Sequence, residues 1–253
     1  MLKNFFFSMK RSAMMNKYSP CEPRYAAYEY FKDKIEKSLK TADTEGFNKY
    51  VGLFFERLTI AADNSIKDAE EKQYIKEYLK TLGDKIVPAL KDFIKKQYAV
   101  AHPIEILLHL ESKEQGLDFL DAVLTTEDTL FDDPLVEKRI EILKHFAGET
   151  HSSVLKKAQY FLNDSDDRLV IASIRFIRDY AFKDANEFEA VRDNLVEKFL
   201  DPETSARIRM EILNVFVEQE WKVSKSETFE ALLPDGYHVN AQGYLKLIKQ
   251  KFE

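Results

Sequence analysis

The stretch LNDSDDRLVIASIRFIRDYAFKD, Leu162–Asp184, opens on acids and then places Val170, Ile174 and Ile177 on one helical face. The same arrangement occurs on either side of it. FDDPLVEKRIEILKHFAGE (Phe131–Glu149) carries Val136, Ile140, Leu143 and Phe146, and FLDPETSARIRMEILNVFVEQ (Phe199–Gln219) carries Ile208, Ile212 and Val215. Aligning Ile140 with Ile174 gives an offset of 34, and aligning Ile174 with Ile212 gives one of 38. Each opening helix is followed by a second apolar pattern: SSVLKKAQYFL, EFEAVRDNLVEKFL and SETFEALL. A helix pair repeated about every 34–38 residues is the signature of an α-solenoid, in which stacked units bury each other's flanks. The acids at Asp132-Asp133, Asp164–Asp167 and Asp201 fit helix starts, where a carboxylate caps free N–H groups and complements the helix dipole.

Upstream, the spacing predicts four more helices. Tyr28, Phe31, Ile35 and Leu39 form one face over roughly 24–40. Asp43 and Thr44 cap a second helix bearing Val51, Phe54, Phe55, Leu58 and Ala61. A third runs from about Asp68 to Leu82 and stops at Gly83, and a fourth carries Ile86, Leu90, Phe93 and Ile94 with Pro88 near its start. His102-Pro103 then opens IEILLHL, and GLDFLDAVL follows. The end differs: GYHVNAQGYLKL alternates around Asn240–Gly243, which predicts a short hairpin, with a final helix from Ala241 as the competing reading.

The LND and FLDP junctions, the two-helix unit and ARIRMEILNVF together resemble HEAT-repeat proteins. The tail is similar to that of a group of small bacterial HEAT-like proteins, which carries no function across. The resemblance covers roughly residues 100–253 and implies an all-α, right-handed α-α superhelix of the armadillo type, with a helical N-terminal region. In that pattern an Arg lies within the first helix. Arg209 matches it, whereas the earlier units have Val136 and Val170 there, and the units are shorter than usual. The expected organisation is an extension over 1–22 and one domain over 23–253. That domain comprises N-terminal helices (23–100), helix-pair repeats (101–233) and a cap (234–253).

Composition narrows the function. Apolar residues make up 45% and charged residues 32%, which suits a folded chain, and seven Gly with seven Pro favour long helices. Positions 1–21 hold Lys3, Lys10, Arg11 and Lys17 and no acid, so the remainder carries −10 of a total of −6. An acidic body repels a phosphate backbone and disfavours nucleic-acid binding. Trp221, between glutamates and a lysine, reads as packing rather than as a stacking platform of the kind HEAT-like base-excision proteins use. One cysteine, Cys21, fits a reducing, cytoplasmic setting. The basic, acid-free start leaves organelle targeting open, alongside a disordered extension or a start at Met14 or Met15. No apolar run is long enough to span a membrane.

Sites for chemistry are sparse. His102, Glu105 and His109 share a helix face and form the one metal-ligand candidate, set against a capping and a surface histidine. The His-Glu dipeptides of HEAT-like di-iron hydroxylases do not occur, and no nucleophile elbow or phosphate loop is present. Bilin-directed HEAT-like proteins share only the fold. No cofactor is expected. What remains is a surface on the second helices, which in a helix-pair solenoid line the concave face: Lys156, Lys157, Tyr160 and Asn163, then Arg192, Asn194 and Lys198. Tyr and Arg anchor protein interfaces, so this strip is the candidate partner-binding site of a non-catalytic scaffold. The alternative is an enzyme or enzyme accessory on the same fold.

Overall fold

The computed structural model describes residues 2–18, 20–127, 132–224 and 226–248. Among them, thirteen α-helices and one two-stranded sheet make an all-α protein. Two compact units divide the chain, residues 1–118 and 119–253, where the sequence suggests one domain over 23–253.

The first unit contains α1 (Leu2–Met15), α2 (Cys21–Lys40), α3 (Thr44–Thr59), α4 (Ser65–Thr81), α5 (Val87–Lys96) and α6 (Ala101–Leu110). The stretch expected to be an extension is therefore largely helix. Phe7 and Met14 lie two helical turns apart on one face of α1. Met14 is buried, and the Phe7 ring meets Phe31 edge-on at 5.7 Å. The targeting-like composition hid this two-residue apolar face. α2 packs on α1 and α3, and α3 packs on α4, α5 and α6. Tyr28, Phe31, Ile35, Val51, Phe54, Phe55 and Leu58 fill the core. Asp43 caps α3 by accepting from the Gly46 N–H (2.9 Å). α4 starts at Ser65, before Asp68, because the Asn64 side chain accepts from the Lys67 N–H (3.1 Å). Gly83 ends α4 with φ +59°, a conformation that favours glycine, and a 3-10 turn leads into α5.

A buried ionic network crosses this unit. The Glu71 carboxylate accepts from Arg24 Nε (2.9 and 2.8 Å), Arg57 Nη2 (2.9 Å) and the Tyr28 hydroxyl (3.1 Å). Arg57 also donates to Asp68 (2.8 Å) and to the Ile60 carbonyl (2.8 Å), and Lys72 pairs with Asp68 (2.8 Å). Burial opposes the charge on Glu71, yet its arginine hydrogen bonds prevail and hold it below the ordinary carboxylate value. Burial likewise opposes ionised Asp68, and Lys72 and Arg57 outweigh it.

The boundary between the units falls inside α7 (Lys113–Val123). The second unit continues with α8 (Asp133–Lys144), α9 (Ser152–Phe161), α10 (Asp167–Asp179), α11 (Ala185–Leu200), α12 (Ala206–Glu218) and the short α13 (Ser226–Glu230). α10 is the centre: it packs on α8, α9 and α12, while α11 packs on α12 and α13. Asp132 caps α8 by accepting from the Leu135 N–H (3.2 Å), and Asp166 caps α10 by accepting from the Arg168 N–H (2.9 Å). The third opening differs from expectation. Asp201-Pro202 forms a turn, and α12 starts only at Ala206, capped by Ser205. The Thr204 hydroxyl returns to the Lys198 carbonyl (2.7 Å) and closes that turn.

The C-terminal hairpin is present, and among the described residues no helix starts at Ala241. β1 (Tyr237–Val239) pairs antiparallel with β2 (Leu245–Leu247), in the register Tyr237↔Leu247, His238↔Lys246, Val239↔Leu245. The Asn240 side chain accepts from Gln242 and Tyr244 N–H groups, and Gly243 takes φ +86°, so this loop has the residues its geometry requires. β2 packs on α12. Residues 249–253 of the expected cap lie outside the described set.

Candidate functional site

The second helices set out the predicted strip as follows. α9 buries Val154, Leu155, Ala158 and Phe161, and α11 buries Val191, Leu195, Val196 and Phe199. Helical spacing turns Lys156, Tyr160 and Asn194 outward, and all three are exposed, as is Asn163 just beyond α9. A polar pocket of about 340 Å³ between the two helices brings together Asn163, Asn194 and Lys198 with Gln159, Glu197 and Asp201. Asn194 Nδ2 donates to Gln159 Oε1 (2.9 Å), so one amide pair already ties the helices. The other strip residues are engaged elsewhere or stand apart. Lys157 Nζ donates to the Asp121 side chain (2.7 Å), and Arg192 pairs with Asp193 (2.9 Å) with its guanidinium over the Phe188 ring. Of the seven strip residues, the pocket therefore gathers Asn163, Asn194 and Lys198.

A second cleft, of about 400 Å³, lies on the opening helices and was not read from the sequence. Its floor is apolar: Ile140 and Leu143 from α8, and Ile171, Ala172 and Phe176 from α10. Around it stand Lys144, Arg168, Arg175, Arg178 and Arg207, with the Asp179 carboxylate among them. Arg168, Arg175 and Arg178 follow one another at steps of seven and three on α10, so they share a face with Ala172, whose small side chain leaves room between them. That spacing was the available signal. Counting only apolar positions passes over it.

These arginines also join neighbouring helices. Arg168 reaches Asp133 (2.6 Å) and Glu137 (2.8 Å) on α8, Arg175 reaches Glu211 (2.7 Å) on α12, and Arg178 pairs with Asp179 (2.7 Å) and Glu218 (3.4 Å). For Arg175 the Glu211 hydrogen bond, and for Arg178 the Asp179 hydrogen bond, stabilise the charged form above its ordinary value. Arg207 is exposed, and among the described residues it pairs with no carboxylate. Arginine does not give up its proton, so the four arginines of this cleft act as fixed hydrogen-bond donors. It offers bidentate donors around an apolar floor, which is the chemistry of recognition. Exposed ion pairs are worth about 0–1 kcal/mol, so these pairs exchange at small cost.

The metal candidate does not assemble. Glu105 accepts from Lys76 Nζ (2.8 Å), His102 Nδ1 lies 3.4 Å from the same oxygen, and His109 is exposed. His102 and His109 are two helical turns apart, which separates them by about 10 Å along the helix, too far for one ion. Among the described residues no group of three or more His, Cys, Asp or Glu side chains is placed to hold a metal. Trp221 is packed among Phe182, Phe188 and Phe216, with centroids at 6.0, 5.1 and 5.9 Å, so no base can stack on it. The Cys21 side chain lies outside the described set. No described helix is long and apolar enough to cross a membrane.

No protein family matches the chain, and no curated protein matches it.

Proposed function

We propose that the chain is a non-catalytic protein-binding module, and that its second unit holds a partner through the cleft on α8, α10 and α12. The observation that carries this is the set of Arg168, Arg175, Arg178 and Arg207 around an apolar floor. Arginine around a desolvated apolar centre is the composition of interface hot spots. The repeated helix pairs, capped by Asp132, Asp166 and Ser205, support a HEAT-like scaffold beneath that surface. The partner supplies carboxylates to the rim and an aliphatic or aromatic side chain to the floor.

The test is affinity capture from the native host, read by mass spectrometry, with three proteins of equal circular dichroism. Wild type is compared with Ala172→Trp/Arg175→Glu, which fills the cleft and reverses one charge, and with Tyr160→Ala/Arg192→Glu on the α9–α11 strip. Loss of one enriched partner by the cleft variant alone is expected. Loss by the strip variant alone moves the site to the second helices, and retention by both refutes the proposal.

A further inference from the structure

α1 leaves an apolar face uncovered. Phe5 is 65% exposed, Phe6 49% and Met9 46%, and the two rings meet edge-on at 6.1 Å. Residues 5, 6 and 9 share one side of the helix, opposite the Phe7 and Met14 face that is packed on the core. Lys10 borders this patch on one edge, and Ser8 and Ser12 border it on the other. Arg11, further round, pairs with Glu56 (2.9 Å), and both of these groups are exposed. Lys49 Nζ sits 4.5 Å from the Phe7 ring centroid, and Lys17 sits 4.8 Å from that of Tyr18, which is itself 68% exposed.

Charge identifies the occupant. Positions 1–21 carry +4 with no acid, whereas the rest of the chain carries −10. A protein groove that took Phe5, Phe6 and Met9 requires no such asymmetry. An anionic lipid surface does: it attracts this segment, repels the remainder, and receives aromatic and methionine side chains at the headgroup boundary. We infer that α1 is a peripheral membrane-docking helix that lays Phe5, Phe6 and Met9 into an anionic bilayer surface, with Lys10 at the phosphate level. It lies on the surface and does not cross it. The packed side of α1 keeps it helical before contact, so little ordering accompanies binding.

The full chain is mixed with vesicles of phosphatidylcholine alone, or with about one third phosphatidylserine, and bound protein is measured by flotation. Wild type is expected to float with the anionic vesicles at least about tenfold more strongly than with the neutral ones, and to be released by salt. Phe5→Ser/Phe6→Ser, whose changes fall on exposed positions, is expected to lose at least about tenfold with an unchanged helical circular dichroism signal. Lys10→Glu, a second variant that leaves the aromatic patch intact, is expected to lose about tenfold as well. Binding to neither vesicle, equal binding to both, or full binding by these variants overturns the inference. So does a concentration-dependent dimer that Phe5→Ser/Phe6→Ser dissolves, since the patch is then an interface between copies.

Discussion

Replacing Glu71 with Gln keeps the side chain's shape and removes one charge from the interior of the first unit. Glu71 is 1% exposed, and its two oxygens receive Arg24, Arg57 and Tyr28. Both guanidiniums are themselves buried. The Gln amide turns one acceptor into a donor, which faces guanidinium N–H groups that also donate. Removing one partner from a buried ion pair costs about 3–5 kcal/mol, because the charge left behind is neither solvated nor fully paired. Set against a typical domain stability of about 5–15 kcal/mol, that loss is large. Urea unfolding of the full chain by circular dichroism reads it directly, as an earlier midpoint than in wild type. Arg24→Met/Glu71→Leu, which removes a cation together with the anion, should lose less than the sum of its single changes. A Glu71→Gln loss under about 1 kcal/mol would refute the reasoning, since the carboxylate would then not be what compensates the two arginines.

Acid should act on the same network. Glu71 and Asp68 sit below their ordinary values of 4.5 and 3.8 in the folded chain, so the unfolded chain takes up protons first as pH falls. Their contribution is full above about pH 4.5 and drains away below it, and a titration of the urea midpoint should show that loss in wild type and less of it in Glu71→Gln. In the second unit, Ile174→Ala opens a cavity at a fully buried position of α10, where three helices meet, and should cost about 2–5 kcal/mol by thermal or urea unfolding. Asp166→Ala removes the α10 cap and an Arg168 partner and should cost about 1 kcal/mol, read the same way.

The helices were legible because apolar periodicity and capping chemistry are local. Asp132 and Asp166 act where the sequence places them, as does Gly83. Asp201-Pro202 misled because that dipeptide also starts turns, and only the Thr204 and Ser205 contacts show where α12 begins. α1 was hidden by a composition that fits both targeting segments and amphipathic helices. The unit boundary left no mark, since it lies inside the helical run of α7 rather than in a Gly- or Pro-rich linker. At the strip, exposure followed from helical spacing, but the partners of Lys157 and Arg192 depend on which side chains lie alongside. The cleft depends on three helices side by side, and the face shared by Arg168, Arg175 and Arg178 gains meaning only beside Ile140 and Leu143 of α8. The histidine pair failed for a metric reason: a shared helix face is not a shared point.

The most direct test of the binding reading is hydrogen–deuterium exchange of the chain, free and with its captured partner. Added protection in peptides covering residues 140–147, 168–179 and 207–211, with no change over 156–163 and 192–198, is the expected result. Protection confined to 156–163 and 192–198, or to neither region, would contradict it.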